Sequence, residues 1–185
     1  MARWDAHLDA LMRDRYAALL AYASMLTAGD RAHAEDVVHD AVVKVFARGR
    51  SFGTLEHAEY YTRRAIVSAF IDGTRRVKRD RGLQARVVDR ATMPPPDDAV
   101  ASADAVRALL AQLPPRERAC VVLRFYDDLT IAQTADRLGL AVGTVKRYLS
   151  DATARLAGQF GDDASADHLP RVPVVSSTRR TREGD

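Results

Sequence analysis

Apolar residues recur along this chain in steps of three and four, the spacing that gathers them on one face of an α-helix. From residue 8 to 26 that face is formed by Leu8, Leu11, Met12, Leu19, Leu20, Ala23 and Leu26, and the run ends at Gly29. Asp30 is placed to cap a second helix, whose stripe is Ala34, Val37, Val38, Ala41, Val45 and Phe46. Two glycines in "ARGRSFG" predict a loop after it. Thr54 can cap a third helix, with Tyr61, Ala65, Ile66 and Ala69 inward until the pattern dissolves in "RRVKRDRG". Three helices with short connections predict one bundle over residues 5–81.

Between residues 82 and 101 the apolar period is lost and "MPPPDDA" brings three consecutive prolines, which predicts a flexible linker with a stiff polyproline stretch. A second small domain is expected over residues 102–160. Val106, Leu109, Leu110 and Leu113 open it, and Pro114 and Pro115 suit the first turn of the next helix. That helix places Ala119, Val122, Leu123 and Tyr126 on one stripe. Thr130 followed by Gln133 has the spacing of a capping box ahead of Ile131, Ala135 and Leu138. Residues 161–185 carry prolines, scattered charge and no sustained period, so they read as a disordered tail. The fold class is therefore all-α: two small helical domains joined by a linker.

Composition agrees with helices, because Ala, Leu and Val dominate and aromatic residues are only 6% of the 185. No apolar run approaches the roughly 20 residues of a membrane span, and "MARWDAHLDAL" lacks a signal peptide's apolar core. A cytoplasmic protein with no membrane insertion is expected. Cys120 has no second cysteine to pair with, and no cofactor or metal is expected. The net charge of +3 is modest, so the placement of the basic residues matters more than their number.

One placement is informative. In "LGLAVGTVKRYL", residues 138–149, a helix ends at a glycine and another begins at once. Advancing that second helix at the α-helical angle groups Val142, Val145, Leu149, Ala152 and Leu156 as a core stripe. Its other side carries Gly143, Thr144, Arg147, Ser150 and Asp151, with Lys146 on the flank. Small residues allow close approach, the first-turn amides favour phosphate, and the cations can donate to guanine edges. This arrangement predicts a helix-turn-helix with its second helix in the major groove, although exposed Lys, Arg and Thr beside a turn are also ordinary solvated residues.

The segment "ALLAQLPPRERACVVLRFYDDLTIAQTADRLGLAVGTVKRYLSDATARL" closely resembles region 4 of bacterial RNA polymerase sigma factors of the extracytoplasmic-function group in the sigma-70 family. "AHAEDVVHDAVVKVFARG" resembles their region 2.2, and "YYTRRAIVSAFIDGTRRVKR" their regions 2.3 and 2.4. The likeness spans approximately residues 5–158 in the family's order. It implies a non-enzymatic transcription initiation factor with core RNA polymerase and promoter DNA as partners, and it admits an anti-sigma factor as a third. It assigns the upstream promoter element to Gly143, Thr144, Lys146, Arg147 and Ser150. It assigns the downstream element to Phe52 and His57 in the loop "SFGTLEH", to Arg63, Arg64 and Ser68, and to the basic run Arg75, Arg76, Lys78 and Arg79. In that loop the family captures a flipped-out base, and Phe52 and His57 are candidates for the stacking surface, though either could equally be packing. Asp36, Val37, Asp40 and Lys44 are implied to dock on the polymerase.

The chain departs from the family at several positions. Ser68 stands where Asn is usual, Tyr61 where Trp is usual, Ala141 where a capping Ser is usual, and Asp151 where a base is common. Losing a cap oxygen costs a helix about 1 kcal/mol, so fraying at the start of the recognition helix is expected. Two other readings compete. The second domain also resembles that of response-regulator-type transcription factors, but residues 1–81 show helical periods instead of the strand alternation of a receiver. His33, Glu35, Asp36, His39 and Asp40 suggest a metal-dependent phosphohydrolase, whose further ligands are not evident in the rest of the chain.

Overall fold

Three of the expected helix starts carry side-chain caps. Asp30 accepts a hydrogen bond from the His33 amide at 2.9 Å, and Thr54 accepts one from the His57 amide at 3.2 Å. Thr130 and Gln133 close a reciprocal capping box. Between such signals a computed structural model of the chain shows α1 (Arg3–Asp14), α2 (Tyr16–Leu26), α3 (Arg31–Phe46), α4 (Leu55–Asp80), α5 (Asp98–Ala111), α6 (Pro115–Val121), α7 (Ile131–Leu138) and α8 (Val142–Phe160). The structure describes residues 3–47, 49, 51–80 and 98–160; side chains are described for residues 6–47, 49, 51–74 and 103–158. Most of the expected linker and the whole expected tail lie outside these residues. There is no strand among them.

The first helix expected from the pattern is two. Arg15 leaves helical geometry at φ −125° and ψ −8°, and its side chain lies 3.4 Å from the Glu59 carboxylate on α4. The kink sits in the apolar-free stretch Arg13–Asp14–Arg15, and it lets α1 and α2 approach α4 separately. Leu11 and Leu19 are fully buried on either side of it, whereas Met12, expected inward, is exposed. With α3 the four helices enclose Tyr22, Ala23, Leu26, Val38, Ala41, Ile66 and Phe70. Burial of each large apolar side chain contributes about 1.5–3 kcal/mol.

The second domain departs from its pattern at one turn. Residues Val122–Tyr126 form a π-helical turn, closed by the Asp127 amide donating to the Val122 carbonyl at 3.2 Å. The wider turn rotates the next residues away from the Ala119, Val122 and Leu123 stripe. Tyr126, expected in that stripe, is 40% exposed, and Phe125 is 63% exposed. At the end of α7, Gly139 takes the left-handed conformation, φ 60° and ψ 44°, that a side chain would disfavour. The chain then enters α8, which packs on α6 and α7 through the buried Val145 and Ala152. Val142, expected in the core, is 45% exposed at the first turn. α5 starts at Asp98, so the last four residues of the expected linker are helical.

The two domains are docked. α2 meets α5 and α6, and α4 meets α6 and α7. Arg118 of α6, almost fully buried, donates at 2.8 Å to each of three carbonyls: Leu110 and Leu113 of its own domain and Leu26 at the end of α2. Burial lowers its guanidinium pKa to about 10, leaving it charged at neutral pH. Arg118→Met would keep the aliphatic bulk and remove the side-chain donor to the Leu26 and Leu113 carbonyls, while Leu110 keeps its bond from the Leu113 amide at 3.1 Å. We expect it to cost about 2–4 kcal/mol in urea unfolding of the whole chain. Wild-type stability in that variant would refute the assignment.

Candidate nucleic-acid and polymerase interface

On α8 the buried and exposed faces separate. Val145 and Ala152 are fully buried, while Gly143, Lys146, Arg147 and Ser150 are exposed and Thr144 is half-buried. Ala141 offers no side-chain cap, and its carbonyl instead accepts from the Thr144 and Val145 amides at 2.9 and 3.2 Å. The Arg147 guanidinium lies 5.5 Å from the Tyr148 ring centroid. The surface therefore combines a glycine, hydroxyls and two cations over the first turns of a helix that a glycine turn introduces, which suits phosphate and base-edge contact.

The expected downstream set is divided. Phe52 is buried, its ring 5.4 Å from Phe46 and 5.7 Å from Tyr61, so it packs the loop against α4 instead of presenting a stacking face. His57 and Arg64 are exposed. The Lys44 ammonium donates to the half-buried Ser68 hydroxyl at 3.4 Å. Arg75, Arg76, Lys78 and Arg79 lie on the last turns of α4, and their side chains are outside the described residues. On α3, Asp36, Asp40 and Lys44 share an exposed face, whereas Val37 points into the core at 5% exposure. Val37 is thus removed from the docking set: its position places it on the buried stripe with Ala34, Val38 and Ala41.

Arg63 is committed elsewhere. It pairs with Glu59 at 2.8 Å, approaches Asp127 at 3.9 Å, and its guanidinium lies 5.1 and 5.7 Å from the Tyr22 and Tyr126 ring centroids. Tyr22 of α2 in turn donates to Asp127 at 2.7 Å. Burial raises the Tyr22 hydroxyl well above its ordinary pKa, keeping it a donor. A second contact joins the domains where Arg137 of α7 donates to the Tyr60 hydroxyl at 3.2 Å and stacks over that ring. Tyr22, Tyr60, Asp127 and Arg137 are not among the residues expected from the sequence, since a cross-domain pair has no local period to mark it.

A family model described as "Sigma-70, region 4" matches residues 103–156. The RNA polymerase sigma-E factor of Streptomyces coelicolor is 32% identical over 149 residues, covering 78% of this chain and 81% of that protein. The chain belongs to the RNA polymerase sigma factors. Its extracytoplasmic-function character is supported by the ECF RNA polymerase sigma factor SigM of Mycobacterium tuberculosis, 33% identical over 74% of this chain and 68% of that one. A solved sigma factor, RpoE of Bartonella quintana in complex with the anti-sigma factor NepR, shares the fold with TM-score 0.60 at 22% identity, over 80% of this chain and 92% of that one. This sigma factor is an initiation factor and not an enzyme. Among the described residues no group of three or more His, Cys, Asp or Glu is placed to hold a metal, and no helix is long and apolar enough to cross a membrane. The receiver and phosphohydrolase readings give way to the likeness to the Streptomyces sigma-E factor, which covers 78% of the chain.

Burial also raises the Asp127 carboxyl, opposed by the Tyr22 hydrogen bond and by the charges of Arg63 and Arg137. A carboxyl raised in the folded chain binds its proton more tightly there than in the unfolded chain. Its contribution to stability is therefore fully present below the ordinary carboxylate pKa and is lost as pH climbs through the raised value. The melting temperature should fall over that interval, and Asp127→Asn should flatten the response. An unchanged response in Asp127→Asn would assign the pH dependence to another group.

Proposed function

We propose that this sigma factor works in the cytoplasm, binding core RNA polymerase through the exposed α3 face of Asp36, Asp40 and Lys44. It reads the upstream promoter element with Thr144, Lys146, Arg147 and Ser150, Gly143 allowing close approach. The downstream element falls to His57, Arg64 and Ser68, to Arg63 once the domains part, and to the phosphate-directed run Arg75, Arg76, Lys78 and Arg79. Phe52 supports the loop from behind. The observation that carries the reading is the division of α8, with Val145 and Ala152 sealed inside and Lys146, Arg147 and Ser150 outside. An anti-sigma factor is a further proposed partner, in keeping with the solved neighbour that was crystallised with one.

Arg147→Ala should weaken upstream-element binding by about 1–3 kcal/mol if the side chain reads a base edge, leaving the melting temperature almost unchanged. Val145→Ala should lower the melting temperature together with binding. Mobility-shift titration and thermal melts of both variants check this, and the reverse pattern would falsify the face assignment. Reversing Asp36 and Asp40 to Arg should abolish co-purification with core polymerase while leaving the circular dichroism spectrum intact, because both are exposed. Normal co-purification would move the docking face off α3.

A further inference from the structure

Docking of the domains builds a cavity of about 540 Å³ that is lined by Lys44 and Val45 of α3, Tyr61, Arg64, Ala65 and Ser68 of α4, and Arg137 of α7. Three of these side chains are cations and none is acidic. Arg64 pairs with no carboxylate among the described residues. Among the described residues Lys44 donates to the Ser68 hydroxyl, and Arg137 leans on the Tyr60 phenol. The carboxylate of Asp127, on which the Arg137 charge acts, is already held by Tyr22 and approached by Arg63. Three like charges around one cavity repel each other until an anion enters.

We propose that this cavity binds a nucleoside polyphosphate. Two guanidinium forks and an ammonium match the oxygens of a di- or triphosphate, and Ser68 adds a hydroxyl. Half-buried Tyr61, packed on Phe52 and Tyr60, adds an aromatic side chain to the lining, and the volume falls in the range of small-molecule sites. Arg137 belongs to one domain and Lys44 and Arg64 to the other, so the complete site exists only when the domains are docked. Bound phosphate then favours the docked form by its differential affinity. The site shares Lys44, Arg64 and Ser68 with the polymerase and promoter surfaces, but it rests on the docked geometry, and its test involves neither partner.

The test is calorimetric titration of the full chain with ATP at moderate salt. One ATP per chain is expected, displaced by tripolyphosphate, with Arg64→Gln and Arg137→Gln each weakening binding at least tenfold. Arg31→Gln, an exposed arginine at the start of α3 paired to Glu35, should leave binding unchanged. Thermal melts of each variant check that the fold is kept. Absence of saturable binding overturns the proposal, as does an Arg31→Gln loss equal to that of Arg137→Gln, which would mark diffuse attraction to a basic surface. Full binding by Arg137→Gln also overturns it, because a nucleotide held by Lys44 and Arg64 alone would occupy one domain, as a nucleotide of a DNA strand would. Failure of tripolyphosphate to compete overturns the phosphate anchor.

Discussion

The docked architecture depends on where the charge of Arg118 is put. A guanidinium out of water is tolerable only if its donors find oxygen, and here three carbonyls at 2.8 Å accept from it. Two of them, Leu110 and Leu113, close the turn between α5 and α6, so the same side chain fixes the start of the second domain. The third, Leu26, is an orphan carbonyl at the end of α2, the kind every helix leaves in its last turn. Satisfying it from the other domain makes one residue serve both local folding and docking. Other side-chain contacts between the domains include Tyr22 on Asp127, Arg63 between two tyrosines and Arg137 on Tyr60, beside a buried apolar cluster that takes in Leu26, Leu110 and Leu113.

Motion is what promoter binding demands. Two promoter elements one and a half helical turns apart are separated by roughly 50 Å, and the 17 residues between Asp80 and Asp98 reach about 60 Å when extended. In the docked form Arg63 is held by Glu59, Asp127 and two rings, whereas Lys146, Arg147 and Ser150 stay free. Docking thus leaves the proposed upstream surface of α8 accessible and holds Arg63 of the proposed downstream set. Opening would remove its approach to Asp127 and Tyr126 and leave its pair with Glu59, which lies within α4.

Legibility in the sequence tracks the range of the interaction. Capping by Asp30, Thr54 and Thr130 acts within three residues, and each cap is present. The turn at Gly139 and the two faces of α8 likewise depend on neighbours and on the 3.6-residue period. The kink at Arg15 is hidden because apolar residues on both sides of it keep one period, and only contact with α4 separates them. The exposure of Tyr126 is hidden because a π-helical turn breaks the period without any glycine or proline to announce it. Val37 is legible as core from its own stripe and becomes a docking candidate only through the family likeness. The cross-domain pairs, Tyr22 with Asp127 across 105 residues and Arg118 with Leu26 across 92, leave no trace in any short window.

Two of the departures from the family, Ser68 and Tyr61, line the cavity. Ser68, where a longer amide is usual, accepts a hydrogen bond from Lys44 and so ties α3 to α4 at the mouth of the cavity. A hydroxyl there is shorter than an amide and reaches less far from α4. Tyr61, in place of a larger indole, lets the Phe52 ring sit at 5.7 Å and the Tyr60 ring at 5.6 Å, and Tyr60 is the residue on which Arg137 rests. Both residues thus lie where α3 and α4 meet the docked second domain. A partner with different affinity for the docked and the open form shifts the balance between them by that difference alone.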